Sequence, residues 1–556
     1  MAGRNFNNPS EQIDLNIPTS SASLVSADVT LTSARAAGMA RAAMLIALGN
    51  VASRVLGLAR ETIIADLFGA TGLVSAFRVA QIIPTMLYDL LIGGMVSSAL
   101  VPVFSEYAER DRTALWQLAS LVLSLAVVVL GIIVLILELA APQVAFLMAG
   151  GFDSELLAVT ARLMRITTPA VFFLSLSGII TGLLFALKRF ALPAFTAATF
   201  NATIVAVALV GVLIFDWGIE ALALGMLAGS LLQVLLQLPG LRDGQLRFAV
   251  DFKHPALRRI AKLYLPIILG LIISQIAIAV DRNFASRTGA QSIAWMQFAT
   301  TIVQFPLGLV SAAISLAILP TLSRLASNQA GQADAVDEFM NTLTTGLRLV
   351  LILIIPATVA LFVLAEPIVA LLFEHGDFTR YDTQQTVLVL RFYLLGLTFA
   401  AIDQPLIFAF YARQNTLTPA LVGLLGVGLY LVAALLPALV RPLQMTDLVL
   451  ANSVQLTGHA LIMMWLINRL APLGGRGLGI TVLKAVVASV VMGAVLWTLS
   501  ILLSDWLSSE QLVIEGALVG TLSLLGGGIY LLVLRIFRTR ELTVLAALLR
   551  RYLPKS

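Results

Sequence analysis

The chain contains no cysteine, which excludes disulfides, thiol nucleophiles and iron–sulfur clusters and leaves other metal sites to histidine and carboxylate. Histidine is nearly absent too. His254, His375 and His459 lie far apart in sequence and form no metal-ligand spacing, so a metalloenzyme has little support. Charge is scarce: 12% of the 556 residues are Asp, Glu, Lys or Arg, about half the ~25% of soluble proteins. The net charge of +5 is small for the size, so nucleic acid is not an expected partner. No G-x-x-x-x-G-K-[ST] run occurs, which argues against transport driven by nucleotide hydrolysis within this chain. The opening residues lack a basic stretch followed by a short apolar one, so they are no cleavable signal peptide. Residues 1–36, rich in Ser, Asn, Thr and Pro, read as a disordered cytoplasmic tail.

Apolar side chains are plentiful. They make up 59% of the chain, above the ~45–50% of a soluble domain, and a soluble enzyme is nearly ruled out. A bilayer span takes about 20 mainly apolar residues, which caps the number of spans near ~16. Fourteen long apolar segments follow Met39, from 39–66 to 511–535, each broken by Gly, Pro or a charged cluster. The expected fold is an all-α polytopic membrane protein with about fourteen transmembrane helices, because runs this long exceed the ~9–11 residues of a barrel strand. Lys and Arg gather in alternate connections: Arg110 and Arg112, Lys188 and Arg189, then a cluster from Arg242 to Lys262. The other connections hold only Arg282, Arg287, Arg380 and Arg441. Since basic residues favour the cytoplasmic side, both termini are expected there.

An internal repeat organises these segments. LAAPQVAFLMAGGF (Leu139 to Phe152) aligns with LAEPIVALLFEHGDF (Leu364 to Phe378), setting Pro142 against Pro367 and Gly151 against Gly376. Arg165 matches Arg391 at nearly the same offset, and ALVPVFS (Ala99 to Ser105) matches AILPTLS (Ala317 to Ser323). Six spans separate equivalent positions, an even number, so both copies enter the membrane from the same side. The expected division is a six-helix lobe at 37–240, a cytoplasmic linker at 241–256, a second six-helix lobe at 257–470, and helices 13 and 14 with a cytoplasmic tail at 471–556. Parallel halves of this kind are a transporter architecture with the substrate site at their interface.

Charge inside a membrane helix costs about 2.5–3.5 kcal/mol even on a lenient scale, so it should face protein or water. The first span carries Arg54, Arg60, Glu61 and Asp66. Positions 54 and 61 are nearly eclipsed on a helix, with Arg60 beside them, which makes one polar stripe. On the second span Arg78, Gln81, Thr85 and Asp89 share a face, with Pro84 free to kink it. The second half offers Asp281 and Arg282 near the end of span seven. A cationic cavity in a bundle otherwise poor in charge implies an anionic ligand, and the planar guanidinium suits phosphate. The competing reading makes Arg54–Glu61 and Arg78–Asp89 ion pairs that only fix packing. Arg162, Arg165, Arg348 and Arg391, toward span ends, read as structural or snorkelling.

SRVLGLARETIIADLFGATG (Ser53 to Gly72), GGMVSSALVPVFSEY (Gly93 to Tyr107), VDRNFAS (Val280 to Ser286), QFPLG (Gln304 to Gly308), HGDFT (His375 to Thr379) and FYARQNTLTP (Phe410 to Pro419) occur in that order. Together they resemble the MurJ/MviN lipid II flippases, within the multidrug/oligosaccharidyl-lipid/polysaccharide exporter superfamily, over about Met39 to Tyr552. The resemblance implies a transporter, not an enzyme, in the bacterial cytoplasmic membrane. It would carry undecaprenyl-pyrophosphate-linked peptidoglycan precursor to the outer leaflet by alternating access, supporting cell-wall synthesis and cell shape. It implies a central cavity containing Arg54, Arg60 and Glu61, to which the polar stripes add Arg78, Asp89 and Arg282 as expected lining, and a groove at spans thirteen and fourteen for the lipid tail. It further implies a cation site at Asp281, and cell-wall synthesis proteins are expected partners; no cofactor is expected, and the inward bias of Lys and Arg fits coupling to the membrane potential, with a monovalent cation as the other expected coupling.

Several family charges are missing. Ser75, Tyr88, the pair Thr300–Thr301, Gln304 and Gln404 stand where the family pattern is charged, and span eleven shows no polar residues to complete a sodium site. Arg78, Asp89, Arg282 and Asp403 are candidates for relocated charges serving the same cavity. Otherwise the chain exports another polyprenyl-linked glycan precursor, or is a membrane scaffold that does not transport.

Overall fold

The structure, a computed structural model, describes residues 21–251, 253–327, 333–503, 511–539 and 541–542, with side chains described from Met44. Residues 1–20 of the expected tail, Arg540 and the chain after Leu542 lie outside them. Among the described residues there is helix and no strand. The long helices are α1 (Ser21–Phe68), α2 (Gly72–Arg110), α3 (Arg112–Leu139), α4 (Ser154–Ala186), α5 (Thr196–Leu213), α6 (Glu220–Leu241) and α7 (Pro255–Ser286). They continue as α8 (Ser292–Ser327), α9 (Ala333–Val363), α10 (Arg380–Ala412), α11 (Leu417–Ala438), α12 (Met445–Asn468), α13 (Leu478–Leu502) and α14 (Leu512–Ile536). Each falls on one of the fourteen apolar segments. Among the described residues twelve are long and apolar enough to cross a membrane, and α7, bent by 55° between Leu265 and Gly270, makes a thirteenth if it is one span. The bend contains Pro266, which has no amide hydrogen for the preceding turn. The first apolar segment falls on α1, which carries four charges from Arg54 to Asp66.

One boundary is corrected. α1 begins at Ser21, so helix occupies part of the 1–36 stretch assigned to a disordered tail. After Pro18 that stretch has no proline or glycine until Gly38 and contains several alanines, a composition that lets the helix propagate outward from the span.

Side-chain caps set several helix starts. The Thr71 hydroxyl accepts from the Val74 amide, the Asp111 carboxylate from Thr113 and the Asp153 carboxylate from Leu156, while Thr379 and Asp382 form a capping box. In the first half α5 packs on α1 and α6, and α4 on α2 and α6. In the second half α12 packs on α10 and α11, and α10 on α8 and α9. α13 lies on α9, and α14 on α13. α7 bridges the halves, touching α2 and the short helix Ala141–Ala149 on one side and α8, α11 and α12 on the other.

At one end of the bundle the halves interlock reciprocally. The Asp377 amide, in the loop after the short helix Ala365–Phe373, donates to the Asp66 carbonyl at 2.9 Å. Gly376 (φ 52°) and Gly69 (φ 58°) lie so close to this contact that a Cβ on either would overlap backbone of the facing segment. The repeat-related loop does the same to α7: the Gly151 amide donates to Ser286 Oγ at 3.0 Å, and a Cβ on Gly151 would overlap the Arg287 backbone. Each half thus lays its glycine loop on the end of the other half's first long helix. At the opposite end Arg259 of α7 reaches Glu106 of α2 at 2.6 Å.

Candidate functional site

Between the halves, α1, α5, α7 and α8 surround a cavity of ≈ 520 Å³. α1 supplies Arg54, Arg60 and Glu61, α5 Asn201, and α7 Arg282. From α8 come Gln297, Thr300, Thr301 and Gln304. The polar stripe of α1 meets an uncharged polar face of α8, where Gln297, Thr300, Thr301 and Gln304 recur at three- and four-residue intervals.

Arg60 is clamped from two sides. Its Nε and Nη2 donate to Glu61 Oε1 at 3.2 and 2.7 Å, and its Nη1 donates to Asn201 Oδ1 at 3.0 Å. Asn201 is itself fixed, its Nδ2 donating to the Ser53 carbonyl at 3.1 Å. Glu61 is 1% exposed, and its second oxygen accepts from Nη2 of Arg78. One buried carboxylate therefore bridges two guanidiniums, which a low-dielectric interior requires for the charge to be tolerated at all.

Arg54 takes no part in that network. Its Nη1 lies 3.5 Å from the Gln304 carbonyl, and among the described residues it has no carboxylate partner. Its guanidinium rests where the Cβ of any other residue at Gly308 would be. Arg282 lines the same cavity with its Nε buried and unpartnered among the described residues. The cavity thus holds three guanidiniums and one carboxylate, and that carboxylate is shared with Arg78. Such a site can receive an anion by charge-assisted hydrogen bonds, with hydroxyls and amides of α8 available for neutral polar groups.

The sequence-derived residues divide accordingly. Arg54, Arg60, Glu61 and Arg282 come together at the cavity. Arg78 is 4% exposed, packed between the Phe77 and Phe298 rings with its Nη1 donating to Gln81 at 3.2 Å. It backs the cavity through Glu61 and is not part of the lining. Asp89 is exposed, lies outside the lining, and makes no ion pair with a described residue. The stripe drawn from Arg78 to Asp89 presumes unbroken α-helix, whereas α2 contains Pro84 and turns into π-helix at Asp89–Gly93. Neither ion pair of the packing alternative forms: Glu61 takes Arg60 and Arg78, not Arg54, and Arg78 does not reach Asp89. Asp281 lies outside the lining, where its Oδ1 accepts the Tyr430 hydroxyl at 2.6 Å. Asp403, a candidate relocated charge, instead pairs with His459 Nδ1 at 2.7 Å.

Sequence reasoning missed Asn201 and Gln297. Both are neutral side chains on apolar helices, and only proximity in space marks them. Among the other polar groups Arg162 pairs with Glu220 at 2.6 Å, Glu366 with Arg380 at 2.5 Å, and Arg391 stacks on Phe362, all packing roles.

Residues 64–515 match the sequence model of the family described as "Lipid II flippase MurJ". The lipid II flippase MurJ of Burkholderia cenocepacia is 32% identical over 392 residues, covering 68% of this chain and 74% of that protein. A probable lipid II flippase MurJ of Vibrio cholerae is 30% identical over 533 residues, covering 90% and 96%. Among solved structures, a lipid II flippase MurJ in an inward closed conformation superimposes with a TM-score of 0.73 at 23% identity, covering 89% of this chain and 98% of that one. A multidrug resistance MATE family transporter in an inward-facing conformation gives 0.64 at 14% identity, covering 75% and 95%. These two structures share the fold.

Proposed function

The chain belongs to the lipid II flippase MurJ family, and from that premise we propose that it moves lipid II, the undecaprenyl-pyrophosphate-linked peptidoglycan precursor, from the cytoplasmic to the outer leaflet of the bacterial cytoplasmic membrane. It acts as a transporter and catalyses no covalent step. The observation that carries this reading is the convergence of Arg54, Arg60 and Arg282, from both halves, on one polar cavity. A bare pyrophosphate in hydrocarbon carries a solvation penalty of tens of kcal/mol. Guanidiniums in a polar cleft remove most of it, and the Thr and Gln side chains of α8 suit the hydroxyls and amides of a glycopeptide head group.

Both termini are cytoplasmic in this reading, from the distribution of Lys and Arg. Outward movement of an anion down an interior-negative potential gains ~2.3 kcal/mol per charge per 100 mV, so membrane potential is the proposed driver. A monovalent cation at Asp281 has less support, since that carboxylate already accepts the Tyr430 hydroxyl. Among the described residues no group of three or more His, Asp and Glu side chains is placed to hold a metal ion.

Complementation tests the assignment. In a strain depleted of its own flippase, the wild-type chain restores growth and Arg60→Ala does not. Absence of rescue by either, with both inserted in the membrane, overturns lipid II as substrate and favours another polyprenyl-linked glycan. Equal rescue by both overturns the role of the cavity.

A further inference from the structure

Within the second half, outside the lining of the central cavity, two ionisable side chains face each other. Asp403 of α10 and His459 of α12 each stand nine residues before the end of their helix, about 13 Å inside the span at 1.5 Å per residue. His459 Nδ1 lies 2.7 Å from Asp403 Oδ1, and the two side chains are 12% and 14% exposed. Ionisable groups at that depth carry a cost that neutral side chains avoid.

The first half shows that packing does not require them. The offset of 226 residues that sets Arg165 on Arg391 carries Ser177 onto Asp403 and Gln233 onto His459. Ser177 of α4 and Gln233 of α6 make the same contact between helices, the hydroxyl donating to Oε1 at 3.2 Å. A neutral hydrogen bond therefore serves at this place in the first half, and an acid–imidazole pair stands there in the second. With a neutral ring and an ionised carboxylate the pair carries one negative charge; with a protonated ring it carries none. It can thus take up one proton, and histidine is the side chain whose ordinary charge change falls between about pH 5 and about pH 8.

Other ionisable groups on the packed elements are engaged elsewhere or stand apart. Tyr430 of α11 bonds Asp281 of α7, Arg282 of α7 lines the central cavity, and Arg348 of α9 bonds Glu541. Tyr393 and Tyr411 of α10 and Arg324 near the end of α8 make no hydrogen bond to the pair, and Asp403 is the one ionisable group acting strongly on His459 among the described residues.

Asp403 also sits beside a break in α10 that touches the cavity wall. Pro405 has no amide hydrogen for the Ala401 carbonyl one turn back. That carbonyl accepts the Ser311 hydroxyl of α8 instead, at 2.6 Å. Ser311 ends the π-turn Leu307–Ser311, whose Gly308 makes room for the Arg54 guanidinium. We propose that Asp403 and His459 form a proton-binding site, loaded and emptied during the transport cycle, with the contact between α10 and α8 linking its charge to the substrate cavity. The inference rests on the chain being a transporter and not on which lipid it carries.

Two measurements on the full chain test it. In magnetic resonance of the purified chain labelled at its histidine rings, His459, assigned with His459→Gln, titrates between about pH 5 and about pH 8, and Asp403→Asn displaces its midpoint. In vesicles containing lipid II, wild-type flipping changes by at least about fivefold over that range. Asp403→Ser/His459→Gln, which gives the second half the neutral pair of the first, inserts as wild type does and shows a flat pH profile. His459→Gln alone flattens the profile too, which keeps the test decisive if the double variant does not insert. A His459 that fails to titrate in this range overturns the proposal, as does either variant that keeps the wild-type profile. Titration of His459 in a chain that flips lipid II at no pH would overturn the transport reading instead and leave the proton site standing.

Discussion

At the scale of single residues, Arg60 illustrates how the site is built. Its guanidinium is oriented by Glu61 and Asn201, and Glu61 is held in turn by Arg78. Arg60→Lys keeps the charge but cannot satisfy both partners, since an ammonium lacks the planar fork. Its transport is therefore expected to fall well below wild type in the complementation assay. Arg78→Ala acts differently, leaving Glu61 buried with one cation instead of two. Breaking a buried pair this way costs about 3–5 kcal/mol, so the variant should lose thermal stability in detergent before any question of transport arises. The charged members of this cluster were readable from the sequence because charge is rare in a chain with 12% Asp, Glu, Lys and Arg. Asn201 and Gln297 were not, because neutral amides carry no comparable penalty in a helix and reveal themselves only by contact.

At the scale of the helix, one irregularity falls at matching places in the two halves, while the π-turn Val96–Leu100 has no counterpart in the second. The offset of 218 residues that aligns Ala99 with Ala317 carries the π-turn Asp89–Gly93 onto the π-turn Leu307–Ser311. The repeat was legible through its Pro, Gly and Arg positions. The π-turns were not, since a change from i→i+4 to i→i+5 bonding leaves no compositional mark, and this is why the α2 stripe was extended too far toward Asp89. The turn in α8 has a use: it contains Gly308, whose missing side chain leaves room for the Arg54 guanidinium. Gly308→Ala should insert and fold, since Arg54 is flexible enough to move aside, yet fail to rescue growth. Gly376→Ala should be worse for the protein itself, because its Cβ meets the Asp66 backbone and its φ is 52°. A lowered melting temperature, with less protein extracted from membranes, is the expected result.

On the scale of the whole molecule, the reciprocal glycine loops hold one end of the two halves together while the Arg259–Glu106 pair joins them at the other. Alternating access requires such contacts to break and re-form in turn. Because the chain has no cysteine, Asp66→Cys/Asp377→Cys gives a clean cross-link across the glycine-loop end. Oxidation should stop transport and reduction should restore it. Fourteen segments, their order and the two-half pattern could be read from hydrophobic runs and repeats, which are properties of the chain alone. The interlocking ends could not, since they are backbone contacts between residues hundreds of positions apart. The most direct measurement of the central claim is the appearance of lipid II in the outer leaflet, read by its cleavage with an externally added lipid II hydrolase in cells depleted of their own flippase. Wild type should expose the lipid to cleavage and Arg54→Ala/Arg60→Ala, inserted at the same level, should leave it protected. Equal cleavage in the two strains would contradict the account.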